Sequence, residues 1–296
     1  MTTPPADPHP VTGQDFTSPV PPGTGWPGDP ASPRTPRARS GADVVRLAAS
    51  SRDVATLDAR VSVCRACPRL VDWREDVARQ GRRASFADQP YWGRPGPGFG
   101  DPAPRLLVVG LAPAANGTNR TGRMFTGDRS GDWIYAALHR AGYADVPWSR
   151  HAGDGQLLRG ARIVAAVRCA PPANKPTGPE RATCAPWLDR DVQLALPTLR
   201  VVLALGAIAF DACLGAARRT GWAVPRPAPR FGHGVQVPLV APDGRVIPLL
   251  ASYHVSQQNT FTGRLTEQML DDVLARAQAL APPGPLEPPS GAVLAE

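Results

Sequence analysis

The stretch that decides the fold is LLVVGLAPAANGTNRTGRMFTGDRSGD, residues 106–132. Its first four residues form a short apolar run, which is typical of a buried parallel strand, and a helix-like segment begins at Trp133. The sequence therefore predicts a strand, a long loop and a helix. Ligands of open α/β sheets lie beyond the carboxyl ends of the strands, so we expect a ligand at this loop.

The loop, residues 110–132, is suited to a polar ligand. Its glycines permit positive φ angles and a close approach of the backbone, and Asp128 supplies a carboxylate. Neither the GxGxxG spacing nor the GxxxxGK(S/T) spacing occurs, which argues against a dinucleotide or a nucleoside triphosphate. Phe125 is either a hydrophobic plug or a flat face on which a base stacks.

Three further apolar runs, at residues 163–167, 200–205 and 247–251, predict strands that alternate with helices. The helices are expected at residues 179–196, at residues 207–219 and at the end of the domain up to residue 280. This βαβ alternation is typical of an α/β protein with a parallel sheet.

The two ends of the chain differ in composition from the middle. Residues 1–45 hold 11 of the 36 prolines, so we expect a disordered tail there. Residues 282–296 repeat this composition and are also expected to be disordered. One domain is left, at residues 46–281, and we expect it to function without residues 1–45.

The chain carries a net charge of +8, with 33 Lys and Arg against 25 Asp and Glu. The excess lies in the predicted domain and suggests a polyanionic partner, of which nucleic acid is the commonest. A basic enzyme without such a partner is the alternative. The sequence contains no secretory signal and no apolar run long enough to cross a bilayer, so we expect a soluble, cytosolic protein.

Four cysteines form a tight pair and two single sites. Cys64 and Cys67 have the CxxC spacing, and Cys169 and Cys184 follow far along the chain. A reducing compartment argues against disulfides, which leaves a tetrathiolate site for zinc or an iron-sulfur cluster, and the spacing does not separate the two. Four unrelated cysteines are the alternative. Cys213 lies in an apolar helical segment and is expected to be a core thiol.

Two more polar motifs follow predicted strands. Asn174 and Lys175 follow the strand at residues 163–167, although Asn before Lys-Pro is also ordinary turn chemistry. His254 follows the strand at residues 247–251, and the polar residues at 257–260 favour a functional role over the structural role that a lone histidine usually has. The other histidines of the domain, His139, His151 and His233, are expected at the surface or in loops.

These motifs, in this order, resemble those of the iron-sulfur uracil-DNA glycosylases, and most closely the type B (family 5) branch. The resemblance covers about residues 58–280. It implies a three-layer α/β/α sandwich around a central four-stranded parallel sheet. It also implies removal of uracil from DNA by hydrolysis of the N-glycosidic bond. The segments that carry it are GLAPAANGTNRTGRMFTGD, VRCAPPANKPT, YHVSQQNTFTGRLT and the four cysteines in order.

The resemblance also implies a role for each candidate residue. Phe125 would stack on a flipped base, Asn174 would bond to its Watson-Crick edge, and backbone amides around Ala112 would help to bind it. His254 would donate to the base oxygen as negative charge develops there. Related branches carry a carboxylate or Asn near Ala112 that positions the attacking water. This chain carries none there, which leaves Asp128 to do so. The metal ligands would be Cys64, Cys67, Cys169 and Cys184, around a structural 4Fe-4S cluster that ties the N-terminal segment of the domain to its core.

The expected partner is therefore double- or single-stranded DNA that contains uracil or another deaminated base, and we expect a monomeric, nucleoid-associated enzyme. The sequence does not rank uracil, hypoxanthine, xanthine and ethenocytosine as substrates. Two other readings are kept. One is a non-catalytic, metal-stabilised nucleic-acid-binding protein, because the motif carboxylate is missing, and the other is a zinc hydrolase that acts on small nucleotides.

Overall fold

The computed structural model describes residues 6–284 of the chain. Helices and strands alternate through most of this part of the sequence. The strands are β1 Ala6–Pro8, β2 Asp15–Thr17, β3 Phe99–Gly100, β4 Leu106–Gly110, β5 Ala161–Ala165, β6 Val201–Leu205, β7 Gln236–Val240 and β8 Val246–Ser252. The helices are α1 Gly41–Ala49, α2 Val54–Ser62, α3 Pro68–Arg79, α4 Thr118–Thr121, α5 Arg129–Arg140, α6 Gly178–Ala195, α7 Ala207–Arg219, α8 Gln257–Phe261 and α9 Glu267–Leu280.

The main sheet is mixed and, within residues 6–284, has six strands in the order β3-β5-β4-β6-β8-β7. The four inner strands pair in parallel, and β3 and β7 add antiparallel edges. The prediction of a four-stranded sheet was therefore wrong in strand number. Neither edge strand shows the apolar run of a buried strand in the sequence, because β3 has only two residues and Pro238 interrupts the apolar residues of β7.

Both faces of the sheet are covered by helices. Successive residues of a strand point to opposite faces, so Leu106 and Val108 of β4 pack in one core while Leu107 and Val109 pack in another. Helices α5 and α9 contribute to the first core and α6 and α7 to the second. The result is an α/β fold in three layers, with the carboxyl ends of β4 and β5 opening onto the loop at residues 110–128.

A disordered tail was predicted at residues 1–45. The described residues between 6 and 45 instead pack against the domain. Phe16, Val20 and Trp26 are each at most 3% exposed and form a small core with Trp92. The ion pair between Arg94 and Asp29 at 2.8 Å is also buried. The segment is rich in proline and glycine, and its few buried apolar residues are widely spaced. Its composition therefore gave no sign that it packs against the domain.

His9, which was expected in the disordered tail, and His151, which was expected at the surface or in a loop, are both buried and contact each other. His9 and His151 are 1% and 3% exposed, and their ring centroids lie 4.3 Å apart. Burial lowers the pKa of His9 to about 4 and that of His151 to about 3. Both side chains are therefore neutral at pH 7. The sequence offered no apolar pattern around either residue from which this burial could be predicted.

The C-terminal prediction falls mostly outside the described residues. Of the segment 282–296, residues 282–284 are described, and Pro283 lies near Gly142 while Gly284 lies near Gly160.

Among the helices of residues 6–284, none combines the length and the apolar character that crossing a membrane requires.

Candidate active site

A cavity of about 580 Å³ opens at the carboxyl ends of β4 and β5, where the sequence predicted a ligand. Gly110 and Ala165, the last residues of these two strands, form part of its floor. The predicted site residues Ala112, Phe125, Asp128, Asn174 and His254 all line it. Parallel strands bring their carboxyl ends to one edge of the sheet, so residues far apart in the chain meet here.

Phe125 forms one flat wall of this cavity. Its φ angle is +51°, a left-handed conformation that is uncommon for a bulky residue and that the surrounding structure must maintain. The ring lies against Gly110, where a β-carbon would stand 2.8 Å from its Cζ atom. Glycine at position 110 thus lets the ring reach the floor of the cavity. Its centroid is 6.1 Å from that of the His254 ring, at an interplanar angle of 38°.

Asp128 both caps a helix and lines the cavity. It is the N-cap of α5, where its Oδ1 atom accepts a hydrogen bond of 2.9 Å from the backbone N–H of Gly131. The side chain also lines the cavity. Burial raises the pKa of Asp128, and the backbone N–H groups of Gly131 and Ser130 offset part of this effect. Asp128 thus caps α5 through Oδ1, which leaves the second carboxylate oxygen, Oδ2, for another role.

His254 lies between β8 and α8 and lines the cavity. Its carbonyl oxygen accepts a 2.8 Å hydrogen bond from Nδ2 of Asn259, which fixes the backbone at this point. Burial lowers the pKa of the His254 imidazole to about 4. A neutral ring has one N–H, so His254 can donate one hydrogen bond into the cavity without carrying a charge.

Asn174 stands at the mouth of the cavity on a turn with unusual backbone geometry. Ala173 and Asn174 both have left-handed φ angles, of +53° and +55°. Asparagine tolerates this conformation better than most residues, whereas alanine rarely adopts it. The side chain of Asn174 is exposed and lines the cavity beside Lys175.

Ala112 connects the cavity with the predicted cysteine site. It lines the cavity and also packs against the apolar cluster that contains Cys64, Cys67, Cys169 and Cys184. These four cysteines, which are far apart in the sequence, line one small cavity of about 20 Å³. Ala112 thus contacts both the large cavity and the cluster that contains the cysteines.

The four thiols of the cysteine cavity are largely buried and lie beside the buried guanidinium of Arg74. Burial raises the pKa of Cys64 to about 11 and that of Cys67 to about 12, and the neighbouring Cys169 thiol adds to both shifts. The buried Arg74 guanidinium donates from Nη1 to the Sγ atom of Cys169 at 2.9 Å. Within residues 6–284, the arrangement places no three His, Cys, Asp or Glu side chains so that they could hold a single metal ion.

Some cavity residues were not singled out from the sequence. Thr118, Met124, Arg129, Ser130 and Ser256 line the cavity. Each lies within or next to a motif that was identified, so proximity to Phe125, Asp128 or His254 was the available signal. In contrast, Asn116 and Asn119 do not line it. The Tyr91 hydroxyl donates to Oδ1 of Asn116 at 2.9 Å, and Asn119 is buried against α3.

Comparison with known proteins agrees with this architecture. Residues 97–278 match the family model of the uracil DNA glycosylase superfamily. The chain is 57% identical over 273 residues to the Type-5 uracil-DNA glycosylase of Mycobacterium tuberculosis. The aligned region covers 92% of this chain and 98% of the relative. It is 52% identical over 221 residues to the Type-5 enzyme of Thermus thermophilus, with coverages of 75% and 95%. For the Type-5 enzyme of Pyrobaculum aerophilum the identity is 43% over 220 residues, with coverages of 74% and 90%.

Proposed function

The chain belongs to the uracil DNA glycosylase superfamily, and we infer that it excises uracil from DNA by hydrolysing the N-glycosidic bond and leaves an abasic site. The observation that carries this inference is the convergence of Phe125, Asp128, Asn174 and His254 on one cavity at the carboxyl ends of β4 and β5. The identity to Type-5 uracil-DNA glycosylases extends over the segments that build this cavity.

Base binding is the first task of such a site. A base within a duplex is inaccessible, so it has to be rotated out of the stack into a pocket that stacks on it and bonds to its edge. Phe125 offers a flat apolar face at the floor of the cavity, and Gly110 leaves room for it. Asn174 has an amide that can donate to and accept from the Watson-Crick edge of uracil. We assign base stacking to Phe125 and edge recognition to Asn174, with backbone groups around Ala112.

Departure of the base is the second task. As the glycosidic bond breaks, negative charge grows on the base, and a donor aimed at the base oxygen lowers the barrier. His254 suits this role because burial keeps its imidazole neutral, so that it donates through N–H without the cost of a buried charge. The preorganised loop that holds it includes the hydrogen bond from Asn259 to its carbonyl oxygen.

Attack of water is the third task. The sugar becomes positively charged in the transition state, and a carboxylate nearby stabilises it and orients the water. Asp128 is the candidate, because its Oδ1 atom is held by the helix N-terminus while Oδ2 remains for the water. The peptide N–H groups at the start of α5 stabilise the charged form against the desolvation that raises the pKa of Asp128.

The substrate range is inferred from one part of the cavity lining, Gly110, Leu111, Ala112 and Ala114, which has no polar side chain that could select a single base. Its volume of about 580 Å³ exceeds the needs of a pyrimidine. We therefore propose that the enzyme accepts several deaminated or modified bases, including hypoxanthine, xanthine and ethenocytosine besides uracil. Both single-stranded and double-stranded DNA are proposed as substrates, for a monomeric enzyme that works on DNA in the cytoplasm.

The proposed cofactor is a 4Fe-4S cluster held by Cys64, Cys67, Cys169 and Cys184. Support comes from the four thiols that line one buried cavity and from the buried cation Arg74 beside Cys169, which would offset the charge of thiolate ligands. The role of the cluster would be structural, joining the N-terminal turn of α3 to the segment after β5 and to α6. The base chemistry described above uses none of these residues.

Release of free base tests the proposed function. The purified protein is incubated with single- and double-stranded oligonucleotides that carry one uracil, and free uracil and alkali-labile abasic sites are measured. The same oligonucleotides with thymine in place of uracil serve as the control. Binding without release of uracil would favour the non-catalytic nucleic-acid-binding protein. Release of base from a free nucleotide but not from DNA would favour the small-nucleotide hydrolase.

A further inference from the structure

The described part of the N-terminal segment is held at several points behind the loop that carries Phe125 and Asp128. The Arg82 guanidinium pairs with Asp7 at 2.6 Å, and Arg94 makes a two-pronged bond to the buried carboxylate of Asp29. Between them, the Ser18 hydroxyl accepts a 2.7 Å hydrogen bond from the backbone N–H of Tyr91. These contacts fix the position of the residues that lie between Asp7 and Asp29.

Trp26 is the residue of this segment that reaches the loop itself. It is 3% exposed, and its indole Nε1–H donates to the carbonyl oxygen of Thr121 at 3.2 Å. The rings of His9 and Phe16 stand edge-on to the Trp26 ring, at centroid distances of 4.6 Å and 5.1 Å. The indole therefore has a fixed orientation before it bonds to the loop.

The close approach at Gly122 shows how tightly this contact constrains the chain. Gly122 has a left-handed φ of +76°, and a β-carbon there would lie 2.9 Å from the Trp92 ring and 3.1 Å from Nε1 of Trp26. The two indoles thus press on the backbone three residues before Phe125. Movement of Trp26 would give this backbone room that it does not have now.

The constraint passes from Thr121 to the residues of the active site through short contacts. The Thr121 hydroxyl lies 3.3 Å from the carbonyl oxygen of Thr126, and Arg120 donates from Nη2 to the carbonyl oxygen of Gly127 at 2.8 Å. Phe125 lies within the short segment that these two contacts close, and its strained φ angle persists only if its surroundings determine it. Asp128 follows directly.

We propose that Trp26 is a positioning residue for base excision, which fixes the loop at residues 121–128 from behind and so sets the places of Phe125 and Asp128. This proposal rests on the proposed function of the cavity. It replaces the expectation that the first 45 residues are dispensable for catalysis. Displacements of about 1 Å at reacting groups are enough to cost about 10²-fold in rate, so a packing residue outside the cavity can matter for the chemistry.

A pair of conservative variants separates positioning from general stability. Trp26→Phe keeps an aromatic ring but removes the N–H that bonds to Thr121. Trp222→Phe makes the same change at a tryptophan that is 6% exposed in the core on the other face of the sheet. For both, single-turnover excision of uracil is measured over a range of enzyme concentrations, together with the thermal unfolding midpoint.

We expect Trp26→Phe to lower the maximal single-turnover rate about tenfold without changing the enzyme concentration at half-saturation. Trp222→Phe should lower the unfolding midpoint and leave both kinetic parameters near the wild-type values. Equal rates for the two variants would overturn the proposal.

A second measurement does not depend on activity. Hydrogen exchange followed by mass spectrometry should show faster exchange of the amides at residues 121–128 in Trp26→Phe but not in Trp222→Phe. Unchanged exchange there would also overturn the proposal. Absence of excision by the wild-type protein would instead contradict the proposed function, and the exchange comparison would still decide the role of Trp26.

Discussion

The Oδ2 atom of Asp128 lies directly over Gly117, so that a β-carbon at position 117 would stand 2.0 Å from this oxygen. This distance is far shorter than any non-bonded contact between a carbon and an oxygen atom, so either the carboxylate or the backbone would have to move. Glycine at this position is therefore required by the proximity of Asp128.

Gly117→Ala should accordingly lower the rate of uracil excision by at least about tenfold, because it displaces the carboxylate that we assign to the water. The matched control is Gly178→Ala at the first position of α6, where a β-carbon would meet no atom within 4 Å. Single-turnover excision is the measurement for both. Full activity of Gly117→Ala would mean that the position of Asp128 is not critical.

Asp128→Asn separates the charge of this side chain from its role as a helix cap. Asparagine caps helices as well as aspartate does, so the unfolding midpoint should change little. The single-turnover rate should fall by about 10² to 10⁴ with little change in binding of uracil DNA. Near-wild-type excision by this variant across several bases would end the assignment.

The same variant tests the pH dependence. Burial raises the pKa of Asp128, and the ionised form is the one that orients water. The wild-type rate should therefore rise with pH through a pKa above the ordinary value for aspartate, and this rise should be absent in Asp128→Asn. A wild-type rate that falls as pH rises through this region would contradict the assignment.

His254→Ala should slow excision most for the bases whose departing anion is least stable, because the histidine is proposed to stabilise that anion. Its pKa of about 4 means that it stays neutral from about pH 5 upwards, so it should add no step to the rate profile near pH 6.5. Rates on uracil and on other modified bases are compared between wild type and variant. A uniform loss over all bases would point to a structural role.

The buried histidines should make the protein less stable in mild acid. The folded-state pKa values of His9 and His151, about 4 and about 3, lie below the value of about 6.5 for an unfolded chain. The unfolded chain therefore binds more protons between these values, and the free energy of unfolding falls as the pH is lowered from about 6.5 to about 4.

The thermal unfolding midpoint between pH 4 and pH 7 measures this effect. His9→Asn keeps an oxygen that can accept from the backbone N–H groups of Val11 and Thr12, and it should flatten the dependence. The exposed His139 provides the control, since His139→Asn should leave the dependence as in the wild type. An unchanged slope in His9→Asn would contradict the prediction.

The purified protein should be yellow-brown and contain iron and sulfide, because the four cysteines around one cavity are proposed to hold an iron-sulfur cluster. Cys64→Ala should lose colour and destabilise the fold. Cys213→Ala removes a buried thiol of α7 that does not line the cysteine cavity and should keep the colour. Stoichiometric zinc without iron after anaerobic purification would contradict the cluster.

The centre of the fold was predictable because its strands are continuous apolar runs, and α7 begins and ends at the predicted residues 207 and 219. The edge strand β7 was not, since Pro238 interrupts its apolar residues and proline is rare inside strands. The N-terminal segment was missed for a different reason. It makes few contacts for its length, and those few involve residues such as Trp26 whose partners lie about a hundred positions away.

The candidate site was predictable to the extent that it follows from strand ends. Asn174 and His254 each come after a parallel strand, so topology alone brings them to the cavity that Phe125 and Asp128 line. The left-handed φ of Phe125, three residues before the N-cap of α5, was not predictable. No sequence pattern announces a left-handed phenylalanine, because its surroundings and not its own preference impose the conformation.

Chemical modification of Cys213 can report how often α7 separates from the sheet. Its thiol is 6% exposed between α7 and the sheet, and burial raises its pKa to about 12. Since only the thiolate reacts with alkylating reagents, the closed protein is inert at this position. Each modification of Cys213 thus records an event in which the helical layer has lifted from the sheet, on a face that neither DNA nor a base is proposed to touch.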